Sequence, residues 1–254
     1  MPVLWGIVLV GFAVGTLVGV SGVGAGMLAA PILISFGVSP TLAVGTDLAF
    51  SAVTKLVGSL RTARMHMVDR RWLRLLAVGG LPAALVGTGL TRVLPPGGAE
   101  HLVRVSIAAM LILAALAIAV REILTIRGMA PRARDLASDR PLLVVGADVV
   151  AGLLLGLTSI GGGAPLMLLL LAGSHLGPQE VLATGIASAA GLTAVAAASH
   201  LAGHTVDGAL VLRLLTGSLP GVLVGGRLAG RIPARPLKFG LAALVLASGV
   251  SLMV

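Results

Sequence analysis

The chain has 254 residues, of which 57% are hydrophobic and 11% are charged, whereas an ordinary soluble domain has roughly 25% charged residues. A mean hydropathy of +1.09 and uncharged stretches such as 105–120 exclude a soluble fold, because no single core could bury so much apolar surface. The net charge of +9 comes mostly from arginines between apolar segments, so it indicates membrane orientation and not a nucleic-acid partner. The absence of cysteine excludes disulfides and cysteine metal sites.

Ten apolar segments follow one another along the chain, five in each half. They cover residues 3–20, 24–36, 40–60, 73–91 and 103–120, then 141–158, 161–173, 178–199, 208–227 and 237–254. A helix needs about 20 residues to cross a bilayer. The second segment of each half is too short for that and is predicted to be a half-helix or a re-entrant segment.

The two halves repeat one another. Seven residues recur at an offset of 138, among them His66 and Asp69, which return as His204 and Asp207. Further upstream, residues 43–45 are aligned with 183–185 at an offset of 140. The predicted units are a first transmembrane repeat at 1–120, a cytoplasmic linker at 121–140 and a second repeat at 141–254, which together make one integral membrane domain.

Arginine counts predict how the repeats are oriented. The loop 61–74 has five arginines, and its counterpart at about 199–212 has no lysine or arginine. Since basic residues favour the cytoplasmic side, the two loops are expected on opposite sides of the membrane. We therefore predict an all-α polytopic membrane protein with two inverted-topology repeats, each of four spanning helices and one short segment, and with both termini outside. Secondary transporters commonly have this architecture.

A glycine cluster precedes each short segment. Glycines let backbone N–H groups converge at a helix N-terminus, where they can bind an anion without a basic side chain. Close packing of small residues is the alternative explanation, but matching clusters in both halves favour a central substrate site. The residues predicted to bind substrate here are Gly22, Gly24, Gly26, Ser159, Gly161, Gly162 and Gly163.

The third segment carries a polar stripe. Thr46, Ser51 and Thr54 are predicted to line the substrate path, and Asp47 shares a helical face with Ser51 and Thr54. An acid inside a membrane is costly and usually functional, so we predict that Asp47 and Asp148 take part in coupling to a proton or cation. A helix cap or a structural hydrogen bond is the alternative role for Asp47.

The histidines and aspartates near the loops could be mistaken for a metal site. His200, His204 and Asp207 have the spacing of three ligands on one helix face. However, Asp69 and Asp207 each precede an apolar helix, where N-capping is the simpler role. No metal site or cofactor is therefore predicted. The chain also has no Gly-Lys-Ser/Thr phosphate loop, so transport is expected to draw on a gradient.

Several motifs together resemble the TauE/SafE sulfite exporter family. They are Ala43-Val44-Gly45-Thr46-Asp47-Leu48, Thr54-Lys55, Val68-Asp69, Pro82, Ser218-Leu219-Pro220-Gly221 and Ile232-Pro233. The resemblance implies an inner-membrane permease for sulfite, thiosulfate or organosulfonates, with related carboxylates as an alternative. Many relatives repeat the Gly-Thr-Asp signature in the second half, whereas residues 184–188 here have no acid.

Three other interpretations remain open at this point. The protein could be a permease for small carboxylates, or a membrane scaffold that transports nothing. Gly19-Val20-Ser21-Gly22 also matches the serine motif of intramembrane proteases, although such an enzyme needs a histidine base on a facing helix. The expected partners are a small anion and the lipid bilayer, and the oligomeric state is left open, a homodimer included.

Overall fold

A computed structural model describes residues 2–21, 28–64, 67–126, 136–160, 169–170, 174–228 and 234–252. This part of the chain is helical, with no strand. The helices are α1 (Pro2–Ser21), α2 (Ala29–Ser35), α3 (Pro40–Arg64), α4 (Arg70–Val93), α5 (Pro96–Ile126), α6 (Leu136–Asp139), α7 (Pro141–Thr158), α8 (Pro178–Ala202), α9 (Gly208–Leu228) and α10 (Ala234–Ser251).

These helices match nine of the ten predicted segments, and the tenth, 161–173, lies mostly outside the described residues. The short segment of the first half is α2, which has only 7 residues. The main difference is α5, which has 31 residues and continues beyond 120 into the predicted linker. Residues 121–126 contain no glycine or proline that would end a helix, so α5 extends past its apolar stretch.

The helices have the length and surface of membrane spans. Five of those in the described residues are long and apolar enough to cross a bilayer, namely 70–93, 97–116, 141–158, 179–202 and 208–225. Large apolar side chains also lie on the outer surface, for example Leu142, which is 85% exposed. Lipid is the environment that suits such a surface. The predicted all-α polytopic membrane fold is therefore confirmed.

Helices of one half pack mainly against helices of the other. The largest contacts pair α1 with α9, α4 with α7, α3 with α8 and α5 with α10. The counterparts in the two halves are α1 and α7, α3 and α8, α4 and α9, and α5 and α10. Exchanging every helix for its counterpart gives the same four pairs. The pairing is thus what a two-fold relation between the halves requires.

Small residues let the paired helices approach closely. A Cβ on Gly15 of α1 would collide with the backbone of Ser218 on α9, and a Cβ on Gly152 of α7 would collide with the carbonyl oxygen of Gly80 on α4. Gly80 and Ser218 are equivalent at the offset of 138. The two crossings are therefore built in the same way, by the close backbone packing that small residues allow in membranes.

Two reciprocal hydrogen bonds join the halves. The backbone N–H of Asp69 donates to Thr184 Oγ1 at 2.9 Å, and the backbone N–H of Asp207 donates to Thr46 Oγ1 at 3.1 Å. Thr46 and Thr184 are therefore equivalent at an offset of 138, and not at the offset of 140 expected for this segment. The start of α3 thus meets the loop that follows α8, and the start of α8 meets the loop that follows α3. These equivalent helices run in opposite directions, which is consistent with inverted repeats.

Candidate functional site

The centre of the candidate site is the carboxylate of Asp47, about two turns into α3. Its side chain is fully buried. Ser159 Oγ donates a hydrogen bond to Oδ2 at 2.5 Å, and Ser51 Oγ, one turn further along α3, donates a longer one to Oδ1 at 3.4 Å. Three residues predicted to act at the site, Asp47, Ser51 and Ser159, therefore lie together.

Ser159 comes from the second half, where it ends α7. Its φ of 63° is in the left-handed region, which is uncommon for a residue with a side chain. This turn ends the helix and directs the hydroxyl towards α3. The second glycine cluster begins two residues later in the sequence. All six predicted glycines, Gly22, Gly24, Gly26, Gly161, Gly162 and Gly163, lie outside the described residues. Ser159 is thus the described residue that links Asp47 to the start of that cluster.

Two of the predicted polar residues on α3 make hydrogen bonds to the backbone and not to the carboxylate. The hydroxyl of Thr46 accepts the backbone N–H of Asp207. Thr54 donates to carbonyl oxygens of its own helix, those of Phe50 at 3.2 Å and Ser51 at 3.0 Å. Thr46 therefore joins the halves, and the hydroxyl proton of Thr54 is used within α3.

His200 lies beside the site, although the sequence suggested only a residue in or beside a loop. The side chain is 1% exposed. Its Nδ1 is 2.7 Å from Thr205 Oγ1 and its Nε2 is 3.4 Å from the carbonyl oxygen of Gly156 on α7. A Cβ at Gly45, two residues before Asp47, would collide with the carbonyl oxygen of Thr205. His200 thus supports the junction of α3, α7 and α8 from the side of α8.

Asp148, the second predicted coupling acid, lies elsewhere along α7. From Asp148 to Ser159 the helix rises about 16 Å at about 1.5 Å per residue. The side chain of Asp148 is fully buried, and it faces Gly80 of α4, where an added Cβ would collide with Oδ2. The structure therefore places the two acids in different parts of the molecule.

The predicted capping aspartates are confirmed. Asp69 Oδ1 accepts the backbone N–H of Trp72 at 2.8 Å, and Asp207 Oδ1 accepts those of Ala209 and Leu210 at 2.9 and 3.1 Å. No group of three metal-ligating side chains occurs in the described ranges. Instead of facing Asp207, the ring of His200 is held by Thr205 and Gly156.

The chain is similar to known proteins over nearly its whole length. The family model described as "Sulfite exporter TauE/SafE" matches residues 7–252. The chain belongs to this family. The "Probable membrane transporter protein YjnA" of Bacillus subtilis (strain 168) is 34% identical over 251 residues, which are 97% of this chain and 98% of that protein. No solved structure matches the chain.

Membership of the TauE/SafE family establishes the class of protein. The resemblance that the motifs indicated is confirmed over nearly the full length. Together with the apolar helices, it identifies a multi-pass membrane transporter. The family and the relative are both described as transporters. The sequence also predicted a transporter and not an enzyme.

Proposed function

We propose that this TauE/SafE protein is a secondary transporter that moves a small sulfur-containing oxyanion across the inner membrane by alternating access. Sulfite, thiosulfate and organosulfonates are the proposed substrates, and both termini are proposed to lie outside. The observation that carries the proposal is the buried bond between Asp47 and Ser159. It joins an acid of one half to the residue that leads into the glycine cluster of the other, where transporters with inverted repeats bind their substrates.

The anion is proposed to bind to the two glycine clusters and to the hydroxyls beside Asp47. Backbone N–H groups and helix N-termini supply the attraction, and Ser51 and Ser159 contribute hydroxyls. Thr46 and Thr54 lie on the same helix and shape the path. The proposed binding residues are Gly22, Gly24, Gly26, Thr46, Ser51, Thr54, Ser159, Gly161, Gly162 and Gly163.

Asp47 is proposed to couple transport to protons. An ionised carboxylate repels a nearby anion, and the repulsion is strong where water is excluded. A proton on Asp47 removes this repulsion, so proton and anion favour each other's binding. Among the described residues, Lys55, further along α3, interacts electrostatically with Asp47, and His200 on α8 lies next to Gly45. Because an anion binds better to the protonated form, its affinity is expected to increase as the pH falls.

The test is anion binding and uptake by the purified protein. Thiosulfate should bind more tightly as the pH is lowered from about 8 to about 5. Asp47→Asn should bind the anion with little dependence on pH and should lose proton-coupled uptake in liposomes. Asp139→Asn, which changes an exposed acid of α6, is the matched control and should behave as the wild type.

Other outcomes would replace parts of the proposal. Unchanged proton coupling in Asp47→Asn would remove Asp47 from the mechanism. Stabilisation by small carboxylates instead of sulfur oxyanions would indicate a carboxylate permease. A protein that no oxyanion stabilises at any pH would fit a scaffold better than a transporter.

The glycine clusters can be tested separately. Gly24→Val and Gly162→Val should weaken anion binding, because a branched side chain crowds converging backbone N–H groups. Affinity can be measured by titration calorimetry at a fixed pH. If both variants bind the anion as the wild type does, the clusters serve helix packing and not substrate binding.

A further inference from the structure

Three buried polar atoms in the described part of the chain have no hydrogen-bond partner there. They are the two carboxylate oxygens of Asp148 and Oγ of Ser188. Asp148 is fully buried and Ser188 is 3% exposed. Almost all buried polar atoms in proteins have partners, and an isolated charged carboxylate away from water is very costly. These atoms therefore point to something that binds between α7 and α8.

The geometry places the two residues around one space. A Cβ on Gly80 of α4 would collide with Asp148 Oδ2 and would lie 2.9 Å from Leu192 Cδ2 of α8. Ser188 is one turn before Leu192 on α8 and faces the same way. Asp148 and Ser188 thus border the space where α4, α7 and α8 meet.

A proton fits this space better than a metal ion does. Na⁺, Mg²⁺ and Ca²⁺ are held by several oxygen ligands, about six for the last two. The described neighbours supply three free oxygens beside apolar Gly80 and Leu192. A proton needs only one oxygen, and it converts Asp148 into a neutral acid.

The charged side chains of the neighbouring helices do not serve as partners for Asp148. Those described on α4, α5, α6 and α8, apart from the buried His200, are exposed at the helix ends. They are Arg70, Arg71, Arg74, Arg92, Glu100, His101, Arg104, Asp139 and Glu180. His200 lies about 18 Å along α8 from Ser188. The carboxylate therefore has to be neutralised by a bound ligand.

The position of Asp148 suggests its use. It lies about 10 Å from the start of α7, which follows the arginine-rich linker, and Ser159 lies at the far end of the helix. We propose that Asp148 and Ser188 form a second proton-binding site on the linker side of Asp47. The site holds its proton while the α4–α7 interface is closed and exchanges it with water when that interface opens. Its role in coupling rests on the proposed transport function, whereas the presence of the proton does not.

Infrared difference spectroscopy tests the proton directly. The purified protein at neutral pH should show the C=O stretching band of a protonated carboxylic acid. This band should be lost in Asp148→Asn, retained in Asp47→Asn and shifted in Ser188→Ala, because removal of a nearby hydroxyl makes the surroundings of the acid less polar. Spectra of Asp148→Asn and Ser188→Ala that both match the wild type would overturn the proposal.

Transport measurements test the coupling role. Asp148→Asn should slow proton-coupled uptake by about a hundredfold, the scale that positioned proton-transfer groups contribute, while anion affinity keeps its dependence on pH. In Asp47→Asn that dependence should disappear. Wild-type uptake by Asp148→Asn would contradict the coupling role. Failure of the wild type to bind any oxyanion would contradict the transport function and leave the infrared result standing.

Discussion

Asp47 and Asp148 are both fully buried, but their surroundings differ. Asp47 accepts hydrogen bonds from Ser51 and Ser159, whereas the oxygens of Asp148 have no partner in the described residues. Hydroxyl donors stabilise a carboxylate charge, and their absence favours the neutral acid. Two acids in such different settings are suited to different tasks, as in enzymes where environment separates an acid from a base.

Replacement of Ser159 by glycine removes the hydroxyl and keeps the turn. Glycine accepts the φ of 63° at this position more readily than serine does, so Ser159→Gly should fold normally. The lost bond to Asp47 is of the charge-assisted type, which contributes about 1.5–3 kcal/mol. Initial rates of proton-coupled uptake in liposomes should therefore fall at least about tenfold.

Ser51→Ala is the matched control for that experiment. The Ser51 bond to Asp47 measures 3.4 Å, which is long for a hydroxyl donor, so its loss should reduce the rate less than the loss of Ser159 does. A larger effect of Ser51→Ala would mean that Ser159 is not the principal partner of Asp47.

Gly80 should tolerate no side chain. In Gly80→Ala the new Cβ would collide with Asp148 Oδ2, so the variant should lose about 1–3 kcal/mol of stability by overpacking. Gly89→Ala lies on the same helix with nothing within 4 Å of the added Cβ, and it should be neutral or stabilising because alanine favours helix. Thermal unfolding of both variants in detergent measures the difference. Equal midpoints would show that the α4–α7 interface can adapt.

The sequence predicted the residues of the site better than their contacts. Helical spacing was enough to place Asp47 and Ser51 on one face. The partnership with Ser159 could not be predicted in the same way, because it depends on which end of α7 meets the start of α3. Ser188 gave no signal, since a single serine in an alanine-rich helix fits a structural role equally well.

At the scale of helices, the bonds of Thr46 and Thr184 hold equivalent positions at opposite ends of the bundle. Thr46 accepts the backbone N–H of Asp207, just before α9, and Thr184 accepts that of Asp69, just before α4. Both bonds are formed in this structure. We expect alternating access to break one bond at a time.

Thr46→Val and Thr184→Val should open opposite ends. Loss of one neutral hydrogen bond costs about 1 kcal/mol and should raise the open population of that end about fivefold. The chain has no cysteine, so Val206→Cys and Val68→Cys can report each end by their rates of thiol labelling. Thr46→Val should speed labelling at residue 206 and Thr184→Val at residue 68. Faster labelling at the same residue in both variants would argue against separate gates.

Helix positions followed from hydropathy, but the register between repeats did not. Apolar runs ended close to the true helix ends because polar and glycine-rich stretches separate them, and α5 was underestimated where the helix continues into polar sequence. The offset of 140 came from a short run of alanine and glycine. Such residues recur often in membrane helices, whereas the threonine bonds depend on position and give 138.

At the scale of the whole molecule, neither half encloses its own core. The four main helix pairs, α1–α9, α4–α7, α3–α8 and α5–α10, all cross between the halves. In water-free surroundings such pairs associate by close packing of small residues. The two repeats are therefore expected to fold as one domain.

Division of the chain in the linker tests this expectation. When 1–128 and 129–254 are produced together, they should co-purify and regain anion-dependent thermal stabilisation, because the cut falls outside the helices that make the main contacts. Either half produced alone should be degraded or aggregate. Stable accumulation of a single half as a folded monomer would show that the repeats are independent domains.

The two buried acids break the symmetry that the helices keep. Asp47 is equivalent to Gly185 at the offset of 138, and the matched crossings of Gly15 and Gly152 make Asp148 equivalent to Gly11. A carrier with identical halves would open inward and outward at equal rates under equal conditions. With each acid present in one half only, the two half-cycles are free to differ in speed. The imposed gradients still fix the substrate concentrations at which net transport stops. The asymmetry can nevertheless make one direction of flux kinetically faster than the other.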